Sequence, residues 1–449
     1  MTRFAIPERA LNWRLAAFLV LCLILGGTSQ DIAAMKLPLY LSSLIMIAAT
    51  LTSKQRAPLS NLFGIVESFG AALLILYFAY LIPLPPSIWT ELDGREMVAT
   101  GFNSIGADLP WLPLSLSPEK TFRSTFDFLP LVAILLIFRL QASSREKKNT
   151  ILMLIFVAVL SVLLGIFQFL GIESLYLYKI TNEGLPVGFF SNANHQSCFL
   201  AMALPFAILL GFKPRRLVSR RHDVTSTAKI LGVFASILII IGILLTNSLA
   251  GYIFLLITVL PALLIGIQQR GMSKYILAIA GVLIAALILD FTIFGSHITE
   301  FASEFSDSNA ISRAEMFSVT TEAQKHFGLF GSGPGSFIEV YYGQENRDTM
   351  RRIFVNEAHN DYLQSWLELG IFGAILIAGF LLWYIISIGK LVFSSESKKA
   401  LKTLVILSIA CPIIHSVVDY SLRTMAISSV FWLMLLMLRE TSSEPKKAA

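Results

Sequence analysis

Twelve apolar spans follow one another along this chain, and no other feature restricts its fold so strongly: residues 15–27, 37–51, 62–83, 126–140, 151–170, 196–212, 230–245, 250–267, 275–294, 366–388, 401–420 and 425–438. A helix of roughly 20 apolar residues crosses the hydrocarbon of a bilayer, where every backbone N–H and C=O must find its partner within the protein. The expectation is an all-α polytopic membrane protein of about 12 transmembrane helices, a single integral membrane domain over residues 1–449. Composition agrees. Hydrophobic residues make up 55% of the chain and charged ones 14%, where a soluble protein carries roughly a quarter. Basic residues precede the first span as in a signal peptide. The small residues after it form no convincing cleavage site, so it is read as a helix.

An even number of spans puts both termini on one side. Most of the 35 Lys and Arg fall in short loops on that side, which marks it as cytoplasmic. The net charge of +6 is then a topology signal, and nucleic acid is not an expected partner. The basic run at 213–222 reads as a positive-inside loop, with contact to anionic membrane lipids as its other use. Two long loops, 84–124 and 295–365, lie on the opposite face. The first opens with Pro83, Pro85 and Pro86, which forbid a helix there; Trp89 and Trp111 suit the headgroup layer. It reads as a cap on the bundle, with Arg95, Lys120 and Arg123 available to a substrate.

Cys22, Cys198 and Cys411 fall within or beside spans and read as packing residues. No CxxC, HExxH or carboxylate run calls for a metal, and no cofactor is expected. The ionisable residues inside spans are few, among them Glu67, Asp290, His415 and Asp419. His415 and Asp419 are four apart, so they pair on one face, as a structural pair or as the lining of a polar cavity; the structural reading is favoured.

The chemistry gathers between Phe327 and Gly373. Gly328, Gly331, Gly333, Pro334 and Gly335 make a turn-rich loop, but no Lys-Ser/Thr follows to complete a phosphate-binding P-loop. Ser332 and Ser336 have no base in reach. Beyond the loop, Asn356 is the expected N-cap, with Glu357, Ala358 and His359 in the first turn of a helix that runs straight into the span from Trp366. His359 would sit just outside the membrane at the positive end of that helix, which attracts anions and disfavours an imidazolium. It is the candidate base. Glu368 lies at the same mouth. Upstream, Asn192, Asn194 and His195 precede the sixth span, either as a helix cap or as groups that hold hydroxyls and phosphate oxygens. Arg313, at the start of a helical stretch over 311–326, and Arg351 with Arg352 are candidates for a diphosphate or for a solvated basic face.

These motifs together resemble one family. The loop GSGPGSF, the segment AHNDYLQSWLELGIFG, the upstream VGFFSNANH and PLPPSIW are similar to the O-antigen ligases and polysaccharide polymerases, and His359, Asn360, Leu363, Glu368 and Gly370 match the family's His-Asn-x-x-Leu-x-x-x-x-Glu-x-Gly pattern. The resemblance implies a GT-C-like glycosyltransferase of the bacterial inner membrane, working without metal at the periplasmic face. Its implied donor is an undecaprenyl-diphosphate-linked glycan and its implied acceptor lipid A-core or a growing polysaccharide. By the same resemblance His359 is base or orienting group, and Asn192, Asn194 and Arg313 contact substrate. Two family arginines have no counterpart, since Glu183-Gly184-Leu185-Pro186 precedes the Gly-Phe motif and Leu249 follows Ser248; Arg313, Arg351 and Arg352 are the available substitutes. A transporter or flippase is the rival reading. Such proteins concentrate polar groups near the midplane, whereas here they gather on one side.

Overall fold

The computed structural model describes residues 13–54, 56–218, 222–267, 281, 313–345, 354–391, 393 and 396–442. Within them the apolar spans fold as helices: α1 Arg14–Leu25, α2 Ala33–Thr52, α3 Ile65–Ala79, α4 Leu129–Leu140, α5 Ser144–Phe169, α6 Ala193–Phe212, α7 His222–Leu245 and α8 Leu249–Ile267. After these come α9 Arg313–Phe327, α10 Phe337–Gln344, α11 Asp361–Gly389, α12 Glu396–His415 and α13 Met425–Ser442. Among the described residues, 6 helices are long and apolar enough to cross a membrane: Ala33–Thr52, Pro118–Leu140, Ser144–Phe169, Ala193–Phe212, Asp223–Leu245 and Asp361–Gly389. The expected span 275–294, with Asp290, lies outside the described residues apart from residue 281, as do Arg351 and Arg352.

Helix α6 is the axis of the bundle. It is apolar on every side, and all its residues except Asn194 are buried, as a helix surrounded by others requires. Helices α5, α7, α8 and α12 pack around it. The three cysteines are free and buried in this bundle.

A second cluster of buried side chains caps one end. Met316, Ala323, Phe327, Phe337, Tyr341 and Leu367 join α9 and α10 to the first turns of α11. The loop 84–124 folds onto this cap, and here the expectation is corrected. Pro86 does not forbid a helix; it starts the short helix Pro86–Trp89, as Pro118 starts Pro118–Thr125, because a first-turn residue needs no N–H donor. A two-residue ribbon, β1 Pro83–Leu84 with β2 Leu112–Pro113, closes the loop antiparallel. Trp89 is buried and donates to the Pro110 carbonyl at 2.9 Å, so of the two tryptophans only Trp111 is exposed. Arg95 is also buried, donating to the Leu114 and Gly331 carbonyls at 2.5 and 3.2 Å. Burial pushes its guanidinium down to about 10. It ties the cap to the glycine loop and is not open to a substrate.

Helices α2, α3, α4, α11 and α13 line a cavity of about 1230 Å³. Its body is apolar, walled by Leu73, Leu74, Ile377, Phe380, Phe431 and Leu435. At one end Glu67 of α3 pairs with Arg139 of α4 at 2.7 Å and with Arg439 of α13, fastening three helices together. At the other end the lining turns polar, with Lys36, Lys120, Arg123, Glu357, Asp361 and Arg423 among the residues that face it.

Candidate active site

The expected helix start at Asn356 is displaced by four residues. Asn360 is the N-cap of α11, its side-chain oxygen accepting from the Leu363 N–H at 2.9 Å. His359 therefore precedes the helix, with φ of 51°, a left-handed conformation that His and Asn tolerate better than most residues. Helix α11 is also not straight. Gly370 has φ of 55° and breaks it. The Ile371 N–H leaves the helix and donates to the Leu329 carbonyl at 2.8 Å. The carbonyls of Leu367 and Glu368 are then left without their helical donors, and the glycine loop supplies replacements: Ser332 N–H donates to Leu367 at 2.9 Å and Gly333 N–H to Glu368 at 2.8 Å. The loop needs glycine for this approach, since a Cβ on Gly331 would lie 2.7 Å from the Leu367 oxygen. The glycine loop is thus a splint for a broken helix.

The centre of the site comes from the chain after α12. That helix ends at His415, five residues before the expected end of the span, and the chain turns. Asp419 accepts from the Tyr420 N–H at 2.8 Å, holding the turn with its own side chain. Three imidazoles face this carboxylate: His195 Nε2 and His359 Nδ1 at 3.5 Å, and His415 Nε2 at 3.7 Å. Asn194 Nδ2 donates to it at 3.1 Å. Burial alone would raise the Asp419 carboxyl, but the surrounding imidazoles outweigh burial and hold it well below the usual carboxylate range. Tyr420 stands between two of the rings, 4.7 Å from His359 and 5.0 Å from His195 between centroids, edge to face. Asn356 and Asn192 lie near its hydroxyl. His195, His415 and Asp419 are each 1% exposed in their side chains, whereas His359 is 22% exposed. Of the three imidazoles, only His359 is open to a substrate.

A second cluster adjoins the first. Arg423 lies one turn of chain beyond Asp419. Its guanidinium contacts Asp361 at 3.0 Å, Glu368 at 3.4 Å and Glu357 at 3.6 Å. Burial works against the Arg423 charge, but these carboxylates more than offset it and raise the group above its ordinary value. Burial pushes the Glu357 carboxyl up, with Arg423 opposing. Gln364 donates to Glu357 at 2.6 Å and accepts from the Ala358 N–H at 2.8 Å, so the segment leading to His359 is fixed from within.

The candidate residues now have places. Asn192 caps α6 by accepting from the Asn194 N–H at 2.8 Å, while Asn194 reaches Asp419. His195 is buried beside the same carboxylate. Glu368 is buried too, accepting from the Gly335 N–H at 3.2 Å and pairing with Arg423, so it joins the splint to the site. Arg313 is the first residue of α9, and its charge acts on His415, which puts it within electrostatic reach of the imidazole cluster. Lys120 and Arg123 line the cavity, each already paired with a carboxylate. The cavity reaches Asn356, Glu357 and Asp361 on either side of His359, and His359 itself stands just beyond its lining. Two contributors were missed. Asp419 was seen only as a partner of His415, and Arg423 not at all. The signal was present: His415, Asp419 and Arg423 recur every four residues at the end of an apolar span, where nothing apolar explains them.

Residues 234–378 match the family model described as O-antigen ligase. That stretch, about a third of the chain, is similar to the O-antigen ligases. No curated protein matches the chain. The O-antigen ligase match includes Arg313, the glycine loop, His359 and Glu368. It begins after Asn194 and His195 and stops before Asp419 and Arg423, so the cluster combines the matched stretch's histidine with groups from both flanks. Long apolar helices, able by length and composition to cross a membrane, thus accompany a stretch similar to the O-antigen ligases.

Proposed function

We propose that the protein is a glycosyltransferase of the bacterial inner membrane that moves a glycan from an undecaprenyl-diphosphate carrier to an acceptor hydroxyl on lipid A-core or a growing polysaccharide. Both termini are cytoplasmic in this reading, and the cap bearing His359 is periplasmic. The single observation that carries it is the solvent access of His359 beside a carboxylate whose other two imidazoles are sealed in. His359 takes the proton of the acceptor hydroxyl as that oxygen attacks the sugar carbon, and the bond to the diphosphate breaks. Asp419 holds the ring and stabilises the imidazolium that forms. The leaving diphosphate carries the developing charge, so cations must stand near it. Arg313 is assigned that role, with Arg351 and Arg352 as further candidates. The polyprenyl tail occupies the apolar cavity, whose polar end lies next to the Asn356–His359 segment. No metal takes part.

The test is protein reconstituted with a lipid-linked oligosaccharide and an acceptor glycan. Transfer without any energy source is expected; movement of the lipid-linked substrate across the bilayer without transfer would replace this reading with the flippase. Two variants probe the assigned roles. Asp419→Asn keeps the shape of the side chain and removes its charge, so kcat is expected to fall by about 10²-fold with little change in KM for donor. Arg313→Ala is expected to raise KM for the diphosphate donor by about tenfold, in keeping with one lost charge-assisted contact. Initial rates over a donor series measure both.

A further inference from the structure

The end of the cavity away from His359 closes on charge rather than on hydrocarbon. Glu67 stands in the first turn of α3, Arg139 in the last turn of α4 and Arg439 in the last turn of α13. Both guanidinium groups bond the same carboxylate oxygen: Arg139 Nε donates to Glu67 Oε1 at 2.7 Å, and Arg439 Nη1 donates to it as well. Arg439 Nη2 donates to the Phe63 carbonyl at 2.5 Å. The other carboxylate oxygen, Glu67 Oε2, is buried without a hydrogen-bond partner, and so is Arg139 Nη2. The Glu67 side chain is 6% exposed and lines the cavity; Leu135 and Leu435, one turn before Arg139 and Arg439, line it too. Arg439 is partly exposed, so the cluster also reaches the surface.

A buried acceptor and a buried donor left open on one ion cluster each carry a desolvation cost until they are bonded. Ionisable groups at membrane depth are expensive, and such an arrangement marks the place of a ligand. An apolar tail cannot meet it, since hydrocarbon offers neither donor nor acceptor. The ligand that fits has an acceptor oxygen for Arg139 and, close by, an N–H or O–H for Glu67. Charge adds a third condition. Two guanidinium groups face one carboxylate, and the neighbouring Lys147 and Glu440 pair with each other at 2.8 Å, so the balance favours an anionic oxygen. All three residues of the cluster sit at helix ends, which is the depth of lipid headgroups. A phosphodiester headgroup that carries a donor of its own meets every condition.

We propose that this end of the cavity is an accessory phospholipid site, in which Arg139 Nη2 donates to the phosphate and Glu67 Oε2 accepts from the rest of the headgroup. Two sources have this chemistry, phosphatidylethanolamine through its ammonium and phosphatidylglycerol through its hydroxyls. Phosphatidylcholine does not, because its quaternary nitrogen bears no hydrogen. The site is separate from the donor and acceptor positions assigned above and does not depend on them. A lipid held there braces α3, α4 and α13, three of the helices that line the cavity.

Native mass spectrometry of the full-length protein in detergent measures its affinity for dioleoyl phosphatidylethanolamine, phosphatidylglycerol and phosphatidylcholine. One site is expected at which the first two each bind about tenfold more tightly than phosphatidylcholine, in keeping with one added bond to a charged group. The tighter of the two names the source. Dioleoyl N,N-dimethylphosphatidylethanolamine, bulkier than the parent but still bearing an N–H, should rank with phosphatidylethanolamine. Glu67→Gln turns the open acceptor into an amide donor and should bring every ratio to phosphatidylcholine to about one. Arg139→Lys keeps a cation beside Glu67 but loses Nη2, and should weaken all four lipids about tenfold. Thermal unfolding checks that both variants are folded, and Arg139→Lys decides the placement if Glu67→Gln is not. Equal binding of all four lipids would overturn the site, as would a preference for phosphatidylglycerol alone, which is plain charge attraction. A ratio kept in folded Glu67→Gln, or full affinity in folded Arg139→Lys, would overturn its placement.

Discussion

His359→Ala lowers the rate of glycan transfer by about 10²- to 10⁴-fold, the range supplied by a positioned proton acceptor. The loss should appear in kcat, with insertion and expression unchanged. Alanine at this position also carries a backbone cost, because φ is 51° and a non-glycine residue there is strained by about 1 kcal/mol. His359→Asn removes that ambiguity, since Asn tolerates the left-handed region while offering no base of suitable strength. Both variants are therefore expected to be equally inactive. Rates are measured with reconstituted protein, and folding is checked by thermal unfolding in the same detergent. An asparagine variant that kept most of its activity would remove His359 from the chemistry.

Gly370→Ala is expected to damage the fold severely. The new Cβ would stand 2.0 Å from the Leu329 carbonyl oxygen, a backbone atom that cannot rotate away. Relief requires the glycine loop to withdraw, which gives up the bonds from Ser332 and Gly333 to the carbonyls freed by the break. Those bonds are worth about 1 kcal/mol each and the left-handed backbone about another, so a loss of about 3 kcal/mol follows. Against a typical total of roughly 5–15 kcal/mol that is a large fraction. Lower steady-state yield and a clearly lower melting temperature are the expected readouts. Glu368 would also lose its place beside Arg423, so the protein that remains should be poorly active.

The bundle was legible in the sequence because burial in lipid is written residue by residue: apolar runs are local, and helices answer them directly. The helix behind His359 was legible for a similar reason, through a motif contained in a dozen residues. The start of that helix was not. Asn356 and Asn360 are both good caps, and choosing between them depends on the Gln364 side chain and on the Ser416 carbonyl, which accepts the Asp361 N–H at 2.9 Å. The break at Gly370 was hidden too, because a glycine inside an apolar run reads as tolerated unless a distant loop is known to dock there. Asp419 shows the limit most clearly. Its pairing with His415 follows from spacing, but the approach of His195 and His359 is tertiary, so a structural pair was the natural reading of the sequence alone. Arg351 and Arg352 lie outside the described residues and stay candidates.

The partners of Asp419 are scattered along the polypeptide, with Asn194 225 residues away from it. His195 and His359 leave the ribosome long before the turn at 415–423 does. Until that turn is threaded into place, the early imidazoles have no counter-charge and the segment before α11 has no Arg423 to grip. The cluster around Asp419 is therefore among the last parts of the described structure that the growing chain can complete.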